Sequence, residues 1–305
     1  MSAIEELLRR RVLLVTGKGG VGKTTVAAAL GRAAVAAGKR VLVAEISYES
    51  PRDAEEQSAT VTSPLAGAFG LDTFADEPRL IEGSLYGARL SPLAGHLAFL
   101  RDTLPVRLLA DAAMKSAAVR RFFHAAPTLA ELGIVYRLLG LVKEKWDVIV
   151  CDLPATGHAL ALAQVPQTLA DVLRAGPIHS AAQEGLALFR DPKRTTSVLV
   201  TLPEPLPVSE ALELHEGLHK LSVDCSMVVL NRVPPNPFSA QERAAVERVV
   251  PDRMKMLGAR RIPRIDRAAS AHERLERELR LPVRVLQEMD ADVVARIARA
   301  LGGAS

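Results

Sequence analysis

The residues best suited to chemistry lie near the start of the chain, in the stretch GKGGVGKTT from Gly17 to Thr25. It matches the phosphate-loop pattern G-x-x-x-x-G-K-[ST], and its glycines let the backbone turn several N–H groups toward an anion. Lys23 is expected to neutralise the β- and γ-phosphates of a nucleotide, and Thr24 to ligate Mg²⁺. The predicted nucleotide-binding residues here are Gly17, Gly19, Gly20, Val21, Gly22, Lys23, Thr24 and Thr25.

A phosphate loop needs a strand before it and a helix after it, and the sequence predicts both. Arg11–Thr16 is an apolar run, and the helical pattern after the loop ends at Gly38. Nearly continuous apolar runs suit parallel strands that are covered on both faces, and their alternation with helices predicts an α/β, doubly wound, mostly parallel sheet. The further predicted strands are Arg40–Ile46, Trp146–Asp152, Thr196–Leu202 and Ser226–Asn231.

One long segment, from about residue 85 to residue 145, breaks this alternation. We interpret it as a helical subdomain, opening with a short strand at Leu85–Leu90 and inserted in a single domain of residues 1–305. Three S/T-x-x-E patterns predict helix starts, at Thr128, Ser239 and Ser270. The helix after Thr128 carries an apolar stripe, which we interpret as core rather than as an exposed groove: Leu132, Val135, Leu139 and Val142.

A second group suited to a metal site ends the predicted strand at Trp146–Asp152. An acid at the tip of an apolar strand can support Mg²⁺, usually through water, so Asp152 and Thr24 are the predicted metal residues. Ligands of doubly wound folds bind at the carboxyl ends of the strands, which places Asp152 beside the phosphate loop.

The loop carries a second lysine, Lys18, and KGGVGKTT resembles the deviant phosphate loop of a class of dimeric ATPases. In that class the early lysine reaches the nucleotide of the partner subunit. The resemblance implies ATP as the nucleotide and a cation delivered in trans to the charge developing on the phosphoryl group. The alternative is that Lys18 only balances the phosphates of its own site. Lys18, Lys23 and Asp152 are therefore the catalytic candidates.

The stretch DLPATGHAL, Asp152–Leu160, is similar to the D-x-A-P-T-G-H-T segment of the arsenite-pump and tail-anchored-protein-targeting (ArsA-type) ATPases. In that family the segment is a switch that senses the γ-phosphate and relays its presence to the helical subdomain. The resemblance implies the same role here, whereas His158 alone would be read as a surface or capping histidine. NRVPPNPF is similar to the adenine loop of the family, and it makes Asn231 the candidate for base recognition, unless Asn231 is a turn residue.

The sequence departs from the family after the second strand. Where the family reads S-T-D-P-A-H, with an Asp that positions the attacking water, this chain reads EISYES and has Ser47. Glu45 or Glu49 could take over the role, since a base needs only to reach the water. The alternative is impaired hydrolysis in a subunit that pairs with a paralogue.

Other observations limit the partners. The two cysteines, Cys151 and Cys225, form no CxxC pair, so neither an interface zinc nor an arsenite site is expected, and Cys151 is interpreted as core. Two nucleotide sites must come from two chains, as a homodimer or a heterodimer with a paralogue. We expect a cytoplasmic protein with no transmembrane segment, no nucleic-acid partner, and a hydrophobic client helix or a membrane protein as a candidate partner.

Overall fold

The structure is a computed structural model that describes residues 3–48, 63–104, 107–116, 118–119, 127–154, 156–249 and 261–302. Within these ranges, eight strands form one sheet. The strands are β1 (Val12–Gly17), β2 (Val41–Ile46), β3 (Arg79–Glu82), β4 (Leu85–Leu90), β5 (Val148–Asp152), β6 (Thr195–Thr201), β7 (Cys225–Val233) and β8 (Val283–Gln287).

The sheet has the order β3-β4-β2-β5-β1-β6-β7-β8, and every neighbouring pair is parallel except β3 with β4. Strand β1 lies between β5 and β6. Strands β2 to β5 lie on one side of β1 and strands β6 to β8 on the other. In such sheets the crevice at the carboxyl end of the central strand is the usual ligand site. The prediction of an α/β, mostly parallel sheet is confirmed.

Helices cover both faces of this sheet. They are α1 (Ala3–Leu7), α2 (Lys23–Ala36), α3 (Pro64–Gly67), α4 (Pro92–Thr103), α5 (Arg107–Lys115), α6 (Pro127–Val142), α7 (Thr156–Val172), α8 (Pro177–Arg190), α9 (Pro205–Lys220), α10 (Ala240–Val249), α11 (Arg261–Leu279) and α12 (Val293–Gly302). Helix α2 ends as predicted, with Gly38 in the left-handed region at φ 77°.

Alternate residues of the central strands pack into two separate cores. Leu14 of β1 belongs to the core that includes α6, α7 and α9, whereas Val15 belongs to the core beneath α2. Because successive side chains of a strand point to opposite faces, a strand covered on both sides must be apolar throughout. This is why the five long predicted strands fall within two residues of their observed bounds.

The segment between β4 and β5 contains helices α4, α5 and α6. Helices α4 and α6 approach closely at Gly95 and Gly133. A Cβ on Gly95 would come within 1.8 Å of the Gly133 carbonyl oxygen. The predicted apolar stripe of α6 is core, as expected: Leu132, Val135, Leu139 and Val142 are all buried.

Two strands were missed and one of the three predicted helix starts is wrong. Strands β3 and β8 lie at the edges of the sheet. Strand β3 is mostly exposed and β8 is only partly buried, so neither has the continuous apolar run of the inner strands. Ser270 lies in the middle of α11, whereas helix α6 is described from Pro127, one residue before the predicted start at Thr128. At Ser239 the prediction is confirmed, because the Glu242 N–H donates to Ser239 Oγ at 3.2 Å and the Ser239 N–H to Glu242 Oε2 at 2.8 Å.

Candidate nucleotide-binding site

The phosphate loop joins the carboxyl end of β1 to the first turn of α2, and its glycines are required by the backbone. Gly20 and Gly22 have φ angles of 82° and 95°, in the region that disfavours other residues. A Cβ on Gly17 would come within 2.2 Å of the Val200 carbonyl oxygen of β6. The loop therefore lies tightly against the neighbouring strand, and its exposed outer residues are Gly19 and Gly20.

Asn231, on β7, supports the loop from below. Its amide nitrogen Nδ2 donates to the Val21 carbonyl oxygen at 2.8 Å, and its Oδ1 accepts from the Arg232 N–H at 2.9 Å. Asn231 is buried, and a Cβ on Gly22 would come within 2.4 Å of its Nδ2. The side chain thus fixes the shape of the loop, a contact that the sequence did not reveal; its role in base recognition stays a prediction.

Lys23, the first residue of α2, is half-buried beneath the loop. Its Nζ donates to the Lys18 carbonyl oxygen at 2.9 Å. Burial lowers the pKa of Lys23, because it removes water from the charged amine, and the nearby Asp152 carboxylate opposes this shift. The amine is therefore held inside the loop, where the sequence predicts that the phosphates bind.

Asp152 and Thr24, the two predicted metal residues, are in direct contact. Thr24 Oγ1 donates to Asp152 Oδ2 at 2.7 Å. Asp152 is only 7% exposed, and its second oxygen, Oδ1, is buried without a hydrogen-bond partner among the described residues. Burial raises the pKa of Asp152 to about 6, and the charge of Glu45 raises it further. The hydrogen bond from Thr24 and the charge of Lys23 act in the opposite direction. An orphaned buried carboxylate oxygen beside a threonine hydroxyl fits the Mg²⁺ site that the sequence predicts.

Lys18 points away from its own loop. Its Nζ forms an ion pair with Glu210 Oε1 of α9, and the Lys18 side chain is 41% exposed. Glu210 Oε2 is buried without a hydrogen-bond partner in the described part of the chain. The two lysines of the loop thus differ, since one is turned inward and the other lies at the surface.

The segment after β2 contains the position at which the family pattern has Asp. Ser47 follows β2 directly, and its backbone N–H donates to the Leu90 carbonyl oxygen at 3.0 Å. Glu45 lies in β2 next to Asp152 of β5 in the sheet register. The third candidate, Glu49, lies outside the described residues, as does Ala155 in the switch-like segment.

Three side chains connect the ends of β2 and β5 to helix α6. The rings of Tyr48 and His158 have centroids 4.9 Å apart. The Tyr48 hydroxyl is buried without a hydrogen-bond partner among the described residues, and the same holds for Glu131 Oε2 of α6. Burial raises the pKa of Tyr48, and the Glu131 charge adds to the shift. The predicted switch histidine therefore contacts the segment after β2, which in turn lies near the helical segment.

A cavity of about 220 Å³ opens next to Asn231, at the carboxyl ends of β6, β7 and β8. Its walls include Arg232, which directly follows Asn231, and Pro234. Arg264 and Glu288 also line it and form an ion pair at 3.2 Å. The cavity therefore lies close in sequence to the predicted base-recognition residue.

Comparison with known proteins assigns the chain to a family. Residues 10–187 and residues 178–257 match the anion-transporting ATPases. The chain belongs to the anion-transporting ATPase family. It is similar to ATPase BagA of Mycobacterium tuberculosis, with 28% identity over 306 residues that cover 94% of this chain and 86% of that one.

Two further relatives have slightly lower identity. The ATPase ASNA1 homolog of Cryptosporidium parvum is 26% identical over 262 residues, which cover 72% of this chain and 64% of that one. A putative arsenical pump-driving ATPase of Halobacterium salinarum is 25% identical over 240 residues, covering 75% of this chain and 36% of that one. The resemblance inferred from the phosphate loop and the DLPATGH segment is thereby confirmed at the level of the family.

Other predicted features can be checked among the described residues. Cys151 and Cys225 are buried free thiols, so the interpretation of Cys151 as core is confirmed. In the described part of the chain, no helix combines the length and the apolar character needed to cross a membrane. The described residues also hold no group of three or more His, Cys, Asp or Glu suited to a metal ion. Mg²⁺ does not require such a group, since one or two carboxylates and the nucleotide phosphates suffice.

Proposed function

We propose that this member of the family is a cytoplasmic, dimeric switch ATPase that hydrolyses Mg²⁺-ATP. The observation that carries the proposal is the contact of Thr24 with Asp152, whose free oxygen is buried without a partner among the described residues. This arrangement lies directly below the phosphate loop and beside the Lys23 amine. A buried carboxylate oxygen without a hydrogen-bond partner destabilises the protein, and a bound cation would remove this cost.

In the proposed reaction, the loop N–H groups and Lys23 bind the phosphates. Mg²⁺, held by Thr24 and Asp152, would neutralise charge on the β- and γ-phosphates. Asn231 maintains the loop geometry through Val21, so that the N–H groups are oriented before the nucleotide arrives. ATP, Mg²⁺ and the base-binding role of Asn231 are parts of this proposal.

The proposed dimer would use Lys18 in trans. Lys18 is half-exposed at the mouth of the site and makes no described contact with its own Asp152 or Thr24. A surface cation at this place can be shared with a second subunit, where it would stabilise the charge developing on the transferred phosphoryl group. When the dimer closes, Lys18 would leave its ion pair with Glu210 and contact the phosphates bound to the partner subunit.

The proposed switch would work through Tyr48 and His158. Any movement of the segment that begins at Asp152 changes the ring contact between them, and Glu131 couples Tyr48 to α6. The nucleotide state would thereby reach helices α4 to α6, which we propose as the region that engages a client helix or a membrane-protein partner. The predicted stripe of α6 is occupied by the core, so the client would contact other residues, such as the exposed Leu93 and Leu109.

We propose that hydrolysis by the chain alone is slow. Ser47 cannot act as the family Asp does, because a serine hydroxyl is not a base near neutral pH. The competing function is a nucleotide-binding subunit that pairs with a hydrolysing paralogue. The two functions share the same loop and differ only in turnover.

A steady-state ATPase assay, run on the chain alone and with any copurifying paralogue, separates these functions. Under the main proposal, the chain alone turns over ATP slowly and Lys23→Ala abolishes the activity, since the phosphates lose their cation. Lys145→Ala, which changes an exposed lysine far along the sequence, is the matched control. ATP binding by the chain alone without turnover, with turnover only when the paralogue is added, would favour the nucleotide-binding subunit, and ATP binding without turnover in either condition would exclude the ATPase.

A further inference from the structure

A second cavity lies in the helical part of the chain. Its volume is about 390 Å³, and residues of α4, of α6 and of the first half of α8 line it. That volume would hold on the order of ten water molecules, which is enough space for a small organic molecule. The lining residues are all different from those of the nucleotide site described above.

Part of this open space lies beside a glycine of α6, Gly140. Earlier in the same helix, a Cβ on Gly133 would come within 2.7 Å of the Pro92 carbonyl oxygen, so close packing against α4 requires that glycine. A Cβ on Gly140, in contrast, would meet no atom of the described residues within 4 Å. Glycine lowers the stability of a helix relative to alanine, and packing does not require it at this position. Gly140 therefore leaves room in the cavity that a side chain could fill.

One part of the lining combines two aromatic rings with a carboxylate. The rings of Phe99 and Tyr136 have centroids 5.3 Å apart and cross at 86°. The Tyr136 hydroxyl donates to Asp102 Oδ2 at 2.7 Å, whereas Asp102 Oδ1 has no hydrogen-bond partner in the described part of the chain. Aromatic faces and carboxylates both attract cations. These three residues therefore favour an ammonium group over a neutral or an anionic one.

The other charged residues of the lining do not reverse this preference. Lys143 and Glu184 form an ion pair at 2.9 Å, and the Lys143 side chain is 69% exposed to water, so its attraction for an anion is weak. With Asp102, the lining has two carboxylates and one ammonium, and thus an excess of one negative charge. Burial raises the pKa of Tyr136, and the hydrogen bond to Asp102 and the charges of Asp102 and Glu184 raise it further. Both carboxylates therefore act on the same hydroxyl.

We propose that this cavity binds a small organic cation, an ammonium group on a compact ring or hydrocarbon body. The ammonium would contact Asp102 and lie against the ring of Tyr136. The body would occupy the space beside Gly140, near Leu139 and Ala181, which are buried apolar residues of the lining. This binding site goes beyond the nucleotide-dependent function proposed above and does not depend on it.

The test compares three probes that have a benzene ring and nearly the same size but differ in charge. Phenethylammonium is a cation, phenethyl alcohol is neutral and phenylacetate is an anion. Saturation-transfer NMR on the full chain without nucleotide gives the dissociation constant of each. Phenethylammonium is expected to bind on the order of 5-fold more tightly than phenethyl alcohol, as one charge interaction at an exposed site allows, and phenylacetate should bind most weakly. Equal affinity for the three probes would overturn the proposal. So would the absence of phenethylammonium binding at about 10 mM, the weak limit for a molecule of this size.

Two variants locate the bound cation. Gly140→Leu fills the cavity and should abolish phenethylammonium binding, while the thermal unfolding temperature should stay the same or rise because leucine favours the helix. Gly302→Leu is the matched control, since a Cβ on this glycine at the end of α12 also meets no described atom within 4 Å, and it should bind as the wild type does.

Asp102→Asn removes the charge but keeps an oxygen that can accept from Tyr136. It should weaken phenethylammonium binding on the order of 5-fold and leave phenethyl alcohol binding unchanged. Wild-type affinity for phenethylammonium in either Gly140→Leu or Asp102→Asn would show that the cation binds elsewhere, and the proposal would be wrong. Because no nucleotide is present in these measurements, their outcome is independent of whether the chain hydrolyses ATP.

Discussion

Two regions at the carboxyl ends of the strands, the loop after β1 and the segment after β2, differ in how closely their residues match the family pattern. The loop between β1 and α2 keeps every residue of its pattern, and its parts are tied together by Asn231, Lys23 and Asp152. The segment after β2 has lost the family Asp and instead holds Ser47 and Tyr48, with Glu45 just inside the strand. We therefore expect nucleotide binding and hydrolysis to be separable here, because the residues proposed to hold the nucleotide are intact, whereas the position at which the family has its water-positioning Asp is altered.

The largest expected effect concerns Lys18, the residue of the intact region that points outward. Lys18→Ala should keep ATP binding but lower the turnover number on the order of 100- to 1,000-fold, since a preorganised charge at the phosphoryl group is removed. ATP binding by calorimetry, turnover, and ATP-dependent dimerisation by light scattering check this.

Glu210→Ala is the matched control for that change. It removes the partner of Lys18 in its own chain but leaves the lysine available, so it should retain ATP-dependent dimerisation. If Lys18→Ala turns over ATP as the wild type does, Lys18 is only a surface cation paired with Glu210, and the trans role is wrong.

The next effect tests the altered region. Ser47→Asp restores the Asp that the family has at this position. It should raise the turnover number by on the order of 10-fold or more, because a base within reach of the water accelerates its attack. A steady-state assay measures the change. Ser47→Asn is the matched control, because asparagine has nearly the size of aspartate but no charge, and it should not raise the turnover number. An unchanged rate in Ser47→Asp would mean that another group already positions the water.

A smaller effect is expected at Asn231. Asn231→Ala leaves the Val21 carbonyl oxygen without its donor, which should lower the free energy of unfolding by about 1–3 kcal/mol. Urea unfolding with and without ATP measures it. If Asn231 also reads the base, the variant should lose its preference for ATP over GTP. Retained preference together with lost stability would restrict Asn231 to supporting the loop.

The smallest effect is expected at Tyr48, in the altered region. Its hydroxyl is buried without a hydrogen-bond partner among the described residues, so Tyr48→Phe should leave the free energy of unfolding unchanged or raise it by up to about 1 kcal/mol. Thermal unfolding of the nucleotide-free protein checks this. A loss of stability would show that the hydroxyl has a partner in the protein.

Local patterns predicted the fold well where local physics decides it. The phosphate loop, the end of α2 at Gly38 and the five long apolar strands depend on backbone freedom and on continuous burial, and both are visible in the residue types. The edge strands β3 and β8 were missed because a strand that is exposed or only partly buried has no continuous apolar run.

Two similar helix-start patterns have different structures, because tertiary packing determines whether a helix begins at them. Ser239 and Ser270 both begin a serine-alanine-x-glutamate sequence, yet only Ser239 caps a helix. Ser270 lies within α11 because that helix buries an apolar stripe on both sides of it, including Ile265 and Leu275. Burial of the stripe outweighs a cap that contributes only about 1 kcal/mol.

The sequence by itself determined the class of the protein: a phosphate loop in a doubly wound sheet, the acid at the tip of β5, and the family that these residues resemble. Only the tertiary structure decided which groups share the site. Asn231 lies 210 positions from Val21, Glu210 lies 192 from Lys18, and Glu45 meets Asp152 across neighbouring strands. Such contacts depend on strand order and register, which local residue preferences do not encode.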